Sequence, residues 1–273
     1  MKQFTGSQRI ATVLGSIQVH VSGSGETAMV CWPSLLMTSQ MWQAQAAQFG
    51  DRYCMVLVDP PGHGGSAPLR RSFTLDECAL CLSQILDALQ MPDCVLLGNS
   101  WGGMMGGVFA ARYPQRLRAA VLMNCTASPV GWMQKLEFLA LTAIIRRCAQ
   151  VPGFVIGRAV KAFAGETTER SKPEVIARIR ATVAAANPRS VHWAIRSVVP
   201  HRQDQRARMA QIQCPVLVLA GAEDRTFPVA ETRAMAEAIP GSRFSVLAGV
   251  GHLAALEAPA EVNAEIERFL HAS

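Results

Sequence analysis

The chain has 273 residues, half of them apolar and 17% charged, with a formal net charge of +6. That length and composition point to one large core carrying one sizeable insertion. No apolar run reaches the roughly 18 residues a membrane span needs, and the basic residues lack the aromatic interleaving of a nucleic-acid surface.

The start, Met1 to Arg9, has one lysine and no apolar stretch behind it, so no signal peptide is expected and a cytoplasmic location is the default. Ile17 to Val21 alternates with period two, and Ala28 to Trp32 is a short apolar run. Residues 39–48 look helical, and Met55 to Val58 reads as a buried strand. Phe73 and then Thr74-x-x-Glu77 signal the start of a helix over 74–90 through reciprocal side-chain and backbone bonds. Cys94 to Leu97 is the next strand, 101–113 a helix, and Ala119 to Met123 a strand. Strands alternating with helices imply an α/β fold with a parallel sheet covered on both faces.

The alternation then stops. From 128 to 209 no strand is expected, and Val175, Ile176, Ile179 and Val183 fall at helical spacing. Ser171-x-x-Glu174 reads as a second capping box. Alternation resumes after Pro215, with strands at Val216 to Leu219 and Phe244 to Leu247, a helix over 229–238 and a closing helix over 254–270. The expected organisation is a core made of 1–127 and 210–273, interrupted by a helical insertion over 128–209. That insertion holds 14 Lys and Arg against 5 Asp and Glu, whereas the rest of the chain holds 12 against 15. The asymmetry marks it as a separate unit. Its arginines read first as solvated helix faces, and alternatively as a lid that attracts anions.

Eight cysteines are present. Cys31, Cys54, Cys94 and Cys125 lie in or beside apolar strands, as small hydrophobes do. Cys78 and Cys81 fall within a helical pattern with no second pair, so neither zinc nor redox chemistry is expected there, and no metal is assigned.

Gly98-Asn99-Ser100-Trp101-Gly102 stands where a strand becomes a helix. A serine on so tight a turn leaves no room for side chains two positions away, which explains the flanking glycines. The helix that follows presents its positive end near Ser100. Serine is a weak nucleophile without a base. His252 follows the last strand; His63, in a core loop, is its rival, whereas His20, His192, His201 and His271 lie in an early strand, the insertion or the tail. An acid must orient the imidazole, and Asp224 follows the strand 216–219, with Glu223 as competitor. All three would open at the C-terminal edge of a parallel sheet, where ligands bind.

The order Ser100, Asp224, His252 resembles the α/β-hydrolase family across essentially the whole chain. Asp59-Pro-Pro-Gly-His-Gly-Gly-Ser66 looks like the family's loop after its fourth strand, which makes His63 structural, and the insertion looks like the family's cap. The resemblance implies a catalytic triad of those residues and an oxyanion hole from two backbone N–H groups. One comes from Trp101. The other falls on Leu35, because Pro33-Ser34 stands where the family usually carries His-Gly; the serine changes the local backbone preference. A serine nucleophile also separates this chain from the dehalogenases and epoxide hydrolases of the fold, which use aspartate.

Residues 92–128, through Arg112-Tyr113-Pro114 and Asn124 to Ala127, are similar to oxoadipate enol-lactonases and related carboxylesterases. The resemblance implies a hydrolase acting on a small-molecule ester or lactone, without metal or organic cofactor, and leaves a homo-oligomer open. Arg146 and Arg147 would suit an anionic substrate, and Trp132, Met133 and Trp193 are candidates for the insertion's inner face. Hydrolysis of a carbon–carbon bond, a lyase or acyltransferase, and a non-catalytic receptor remain as other readings.

Overall fold

The computed structural model describes residues 6–272; residues 1–5, which open the stretch read for a signal peptide, and 273 lie outside it. Eight strands form one sheet in the order β1-β2-β4-β3-β5-β6-β7-β8. They are β1 Gly6–Thr12, β2 Gly15–Ser22, β3 Ala28–Trp32, β4 Cys54–Val58, β5 Cys94–Asn99, β6 Leu117–Met123, β7 Val216–Gly221 and β8 Arg243–Leu247. The first two pair antiparallel, β2 meets β4 antiparallel, and β4 to β8 with β3 run parallel. The fold is therefore α/β with a mostly parallel sheet, the architecture that the resemblance implies.

Every residue of β3, β4, β5 and β7 is buried, which requires cover on both faces. Helices α1 Gln43–Phe49, α11 Ala254–Glu257 and α12 Pro259–His271 pack together, and α2 Leu75–Ala88 packs on α3 Trp101–Arg112. The α10 helix, Val229–Glu237, lies against β7 and β8. Trp32, Trp42, Trp101, Phe49 and Phe109 are the largest side chains wholly inside. Thr74 caps α2 as its spacing implies: its hydroxyl accepts from Glu77 N–H at 3.1 Å, and Glu77 Oε2 accepts from Thr74 N–H at 2.9 Å.

Between β6 and β7 lie six helices and, among the described residues, no strand: α4 Trp132–Ile145, α5 Gly153–Phe163, α6 Glu166–Ser171, α7 Pro173–Ala184, α8 Pro188–Val198 and α9 Arg206–Met209. Val175, Ile179 and Val183 are the buried positions of α7. No helix of the described residues is long and apolar enough to cross a membrane.

Two expectations change, and one strand lies where none was expected. The strand β1 has no sequence signal because only Ile10 of its seven residues is buried. Ser171 ends α6 and its hydroxyl bonds back to the Thr167 carbonyl, so it caps nothing; Pro173 opens α7 behind Lys172, whose φ of −129° is the extended value proline imposes on its predecessor. The closing helix is two helices, because Pro259 holds Ala258 out of the helical region at φ −137° and ψ 62°.

Candidate active site

The loops after β3, β5, β6, β7 and β8 all leave the sheet at the C-terminal ends of adjacent parallel strands. They carry Leu35, Ser100, Asn124, Asp224 and His252 respectively. Ser100 sits between β5 and α3 with φ 55° and ψ −111°, a conformation few non-glycine residues adopt. A Cβ at position 98 would overlap the Gly102 carbonyl, and one at 102 would overlap the Trp32 carbonyl. The glycines are thus required by space rather than by flexibility.

His252 and Asp224 are in contact, both buried, with Nδ1 of the imidazole 2.9 Å from Oδ2 of the carboxylate. A carboxylate only accepts, so Nδ1 carries the proton and Nε2 is left free to take one. The other partners of Asp224 are Asn124 Nδ2 on Oδ2 at 3.0 Å and the Thr226 and Phe227 N–H groups on Oδ1 at 2.7 and 3.0 Å. Burial works against this carboxylate, but the His252 charge and these hydrogen bonds outweigh it and hold its pKa below the ordinary value. Phe163, the last residue of α5, stacks on the His252 ring at 5.6 Å, and its carbonyl accepts the His252 N–H at 2.9 Å.

Ser100 and His252 line one cavity of about 250 Å³, together with Leu35 and Leu36 and a largely apolar wall from α4, α5 and α8. Trp101 opens α3, where the first N–H groups have no intrahelical acceptor. Its indole is packed against Phe73 at 5.4 Å, Trp32 at 5.9 Å and His63 at 5.7 Å. The strained residue in the β3 loop is Leu36, at φ 64°, and not Ser34. Ser34 is wholly buried, and its hydroxyl accepts from Asn99 Nδ2 at 2.9 Å. The same amide donates to the His252 carbonyl at 2.8 Å, so Asn99 ties the β3 loop to the histidine loop.

Glu223 and His63 stand apart from this cluster. Glu223 accepts from the Thr167 N–H and hydroxyl, each at 2.7 Å. His63 is buried and receives the Leu36 N–H on Nε2 at 3.1 Å, with Nδ1 on the Pro61 carbonyl at 3.0 Å. Nor do the substrate candidates reach the cavity. Trp132 and Met133 are 72% and 66% exposed, Arg146 and Arg147 are exposed, and Trp193 packs on His192. Gln134, Glu137, Phe138 and Leu141 of α4 line it instead. Asn99, Asn124 and Glu257 carry no site role in the sequence reading; polar side chains at or just past a strand end, as at 99 and 124, are the available signal. Among the described residues no three His, Cys, Asp or Glu side chains gather as a metal site would need.

The alpha/beta hydrolase fold family matches residues 27–259. The chain is 27% identical over 253 residues to 3-oxoadipate enol-lactonase 2 of Acinetobacter baylyi, covering 89% of this chain and 88% of that protein. It is 29% identical to a poly(3-hydroxyalkanoate) depolymerase of Ectopseudomonas oleovorans, covering 79% of this chain and 74% of the relative. A malate-bound structure of a thermophilic esterase from Thermogutta terrifontis superposes with a TM-score of 0.90 at 29% identity, over 98% of this chain and 99% of that one.

Proposed function

We propose that the chain, which belongs to the α/β-hydrolase fold family, is a serine hydrolase that cleaves small esters or lactones through an acyl-enzyme. Relatives named as an enol-lactonase, a poly(3-hydroxyalkanoate) depolymerase and an esterase support an ester-type hydrolase. The observation that carries the mechanism is the buried His252–Asp224 contact at 2.9 Å beside a cavity that Ser100 also lines.

Ser100 attacks the carbonyl carbon and His252 Nε2 takes the hydroxyl proton. Asp224 holds the ring and stabilises the imidazolium. The negative charge that develops on the carbonyl oxygen is met by the N–H groups of Leu35 and Trp101 and by the positive end of α3. His252 returns the proton to the leaving alcohol, or to the tethered alkoxide of a lactone, and then activates water to release the acid. The insertion over 128–209 acts as a lid: Phe163 and the α4, α5 and α8 residues around the cavity exclude water and shape the acyl site.

A fluorophosphonate tests this reading. Labelling mapped to the Ser100 peptide, and lost in His252→Ala, is the expected result. A folded protein that resists the reagent under conditions that label a control esterase would remove the nucleophile from the account.

A further inference from the structure

Three arginines line the cavity, and they are not equivalent. Arg158 pairs with Glu137, and Arg225 pairs with Glu169 at 2.8 Å; both are substantially exposed. Arg202, in the turn between α8 and α9, is 9% exposed and makes no ion pair among the described residues. Its Nε donates to the Ser128 carbonyl at 3.0 Å. Its guanidinium carbon lies 5.3 Å from the centre of the Phe227 ring, and that ring lies 5.6 Å from the His252 ring. The cation is therefore one aromatic ring away from the histidine.

A buried charge without a paired counter-ion is costly, because leaving water removes more than one neighbouring group restores. One carbonyl and one aromatic face offset part of that cost. Burial lowers the Arg202 pKa and the Glu231 carboxylate opposes that, but the guanidinium stays protonated. Glu231 is itself held by the Thr126 hydroxyl at 3.2 Å. Nη1 and Nη2 of Arg202 have no hydrogen-bond partner among the described residues, and this planar pair matches a carboxylate in two-point geometry.

We propose that Arg202 is the anchor for a carboxylate that the substrate itself carries, a few bonds from the scissile carbonyl. The reading rests on the ester or lactone hydrolase proposed above and narrows it to anionic substrates. The apolar wall then selects a short carbon chain that spans from Ser100 to Arg202. A purely structural Arg202 would only join the two ends of the insertion, through Ser128 and through the Val130 N–H on its own carbonyl at 3.3 Å.

The test compares the mono-p-nitrophenyl ester of glutarate with p-nitrophenyl valerate, its neutral counterpart, at fixed ionic strength. Wild-type protein should favour the acid in kcat/KM. Arg202→Met should raise KM for the acid about tenfold to a hundredfold, the range lost with a charge-assisted hydrogen bond, and leave valerate within about threefold. Arg202→Lys should keep part of the preference. Equal treatment of both esters by the wild type, or an equal loss on both with a lowered Tm in Arg202→Met, would overturn the anchor and leave the structural role. Should neither ester turn over, the hydrolase reading fails, and calorimetric titration with glutarate decides the anchor alone. Binding that disappears in Arg202→Met supports it; no binding, or equal binding, contradicts it.

Discussion

The backbone N–H of Leu36 donates to Nε2 of His63 across 3.1 Å, and this bond holds a leucine in the left-handed region beside the cavity. A bulky residue there costs roughly 1–2 kcal/mol. The neighbouring Leu35 N–H is the proposed oxyanion donor, and the same His63 ring packs on Trp101, the other. His63→Leu should therefore lower kcat by about tenfold to a hundredfold with little change in KM, less than the loss of a donor itself. His63→Gln, which keeps an acceptor, should retain more activity. Leu36→Gly removes the strain that the bond restrains, so His63→Leu should cost less in that background. Steady-state kinetics of the four variants in a double-mutant cycle reads this coupling directly.

Burial lowers the His63 pKa to about 4 from its ordinary value of 6.5. The unfolded chain thus holds a proton between those pH values that the folded chain does not. Stability is unaffected above the unfolded value, falls as pH drops from 6.5 toward 4, and levels off below the folded pKa. The full loss is about 3 kcal/mol by linkage. Urea unfolding of wild type and His63→Gln across this window should show the steeper decline only in the wild type.

Asp224→Asn should reduce kcat on the order of 10⁴, because an amide cannot enforce the tautomer that leaves Nε2 free. Glu223→Gln should leave kcat within about twofold, since its carboxylate is engaged by Thr167 and surface changes of this kind are small. A reversed pattern in p-nitrophenyl ester kinetics would reassign the acid.

Glu257 is buried and its carboxylate accepts the N–H groups of Gly251 at 3.2 Å and Leu253 at 2.9 Å, on either side of His252, and of Gly165 at 2.8 Å between α5 and α6. Glu257→Gln turns one acceptor into a donor that faces N–H groups. A loss of about 1–3 kcal/mol is expected, the cost of an unsatisfied buried group, with a lowered kcat. Thermal unfolding and kinetics on the same preparation would show both; an unchanged Tm would contradict the role.

What the sequence made legible was local. Gly98 and Gly102 report a steric requirement that reads without tertiary information, and the strands that precede Ser100, Asp224 and His252 place them at one edge once the sheet is parallel. The insertion between β6 and β7 was less legible. α4 carries Trp132, Met133, Leu136, Phe138, Leu141 and Ile144 around much of its circumference, so periodicity does not say which face meets the cavity. Folding turns Phe138 and Leu141 inward and leaves Trp132, Met133, Leu136 and Ile144 in solvent. Arg202 comes from a turn, where no periodic signal exists, and its burial depends on Ser128 and Phe227, residues distant from it in sequence.

The most direct measurement is the turnover of p-nitrophenyl butyrate by Ser100→Ala beside the wild type, with Tm recorded for both. The proposed Ser100 mechanism requires an unchanged fold and a loss of kcat on the order of 10⁴ or more, as expected when a nucleophile is removed. A folded Ser100→Ala that retains wild-type turnover would contradict it.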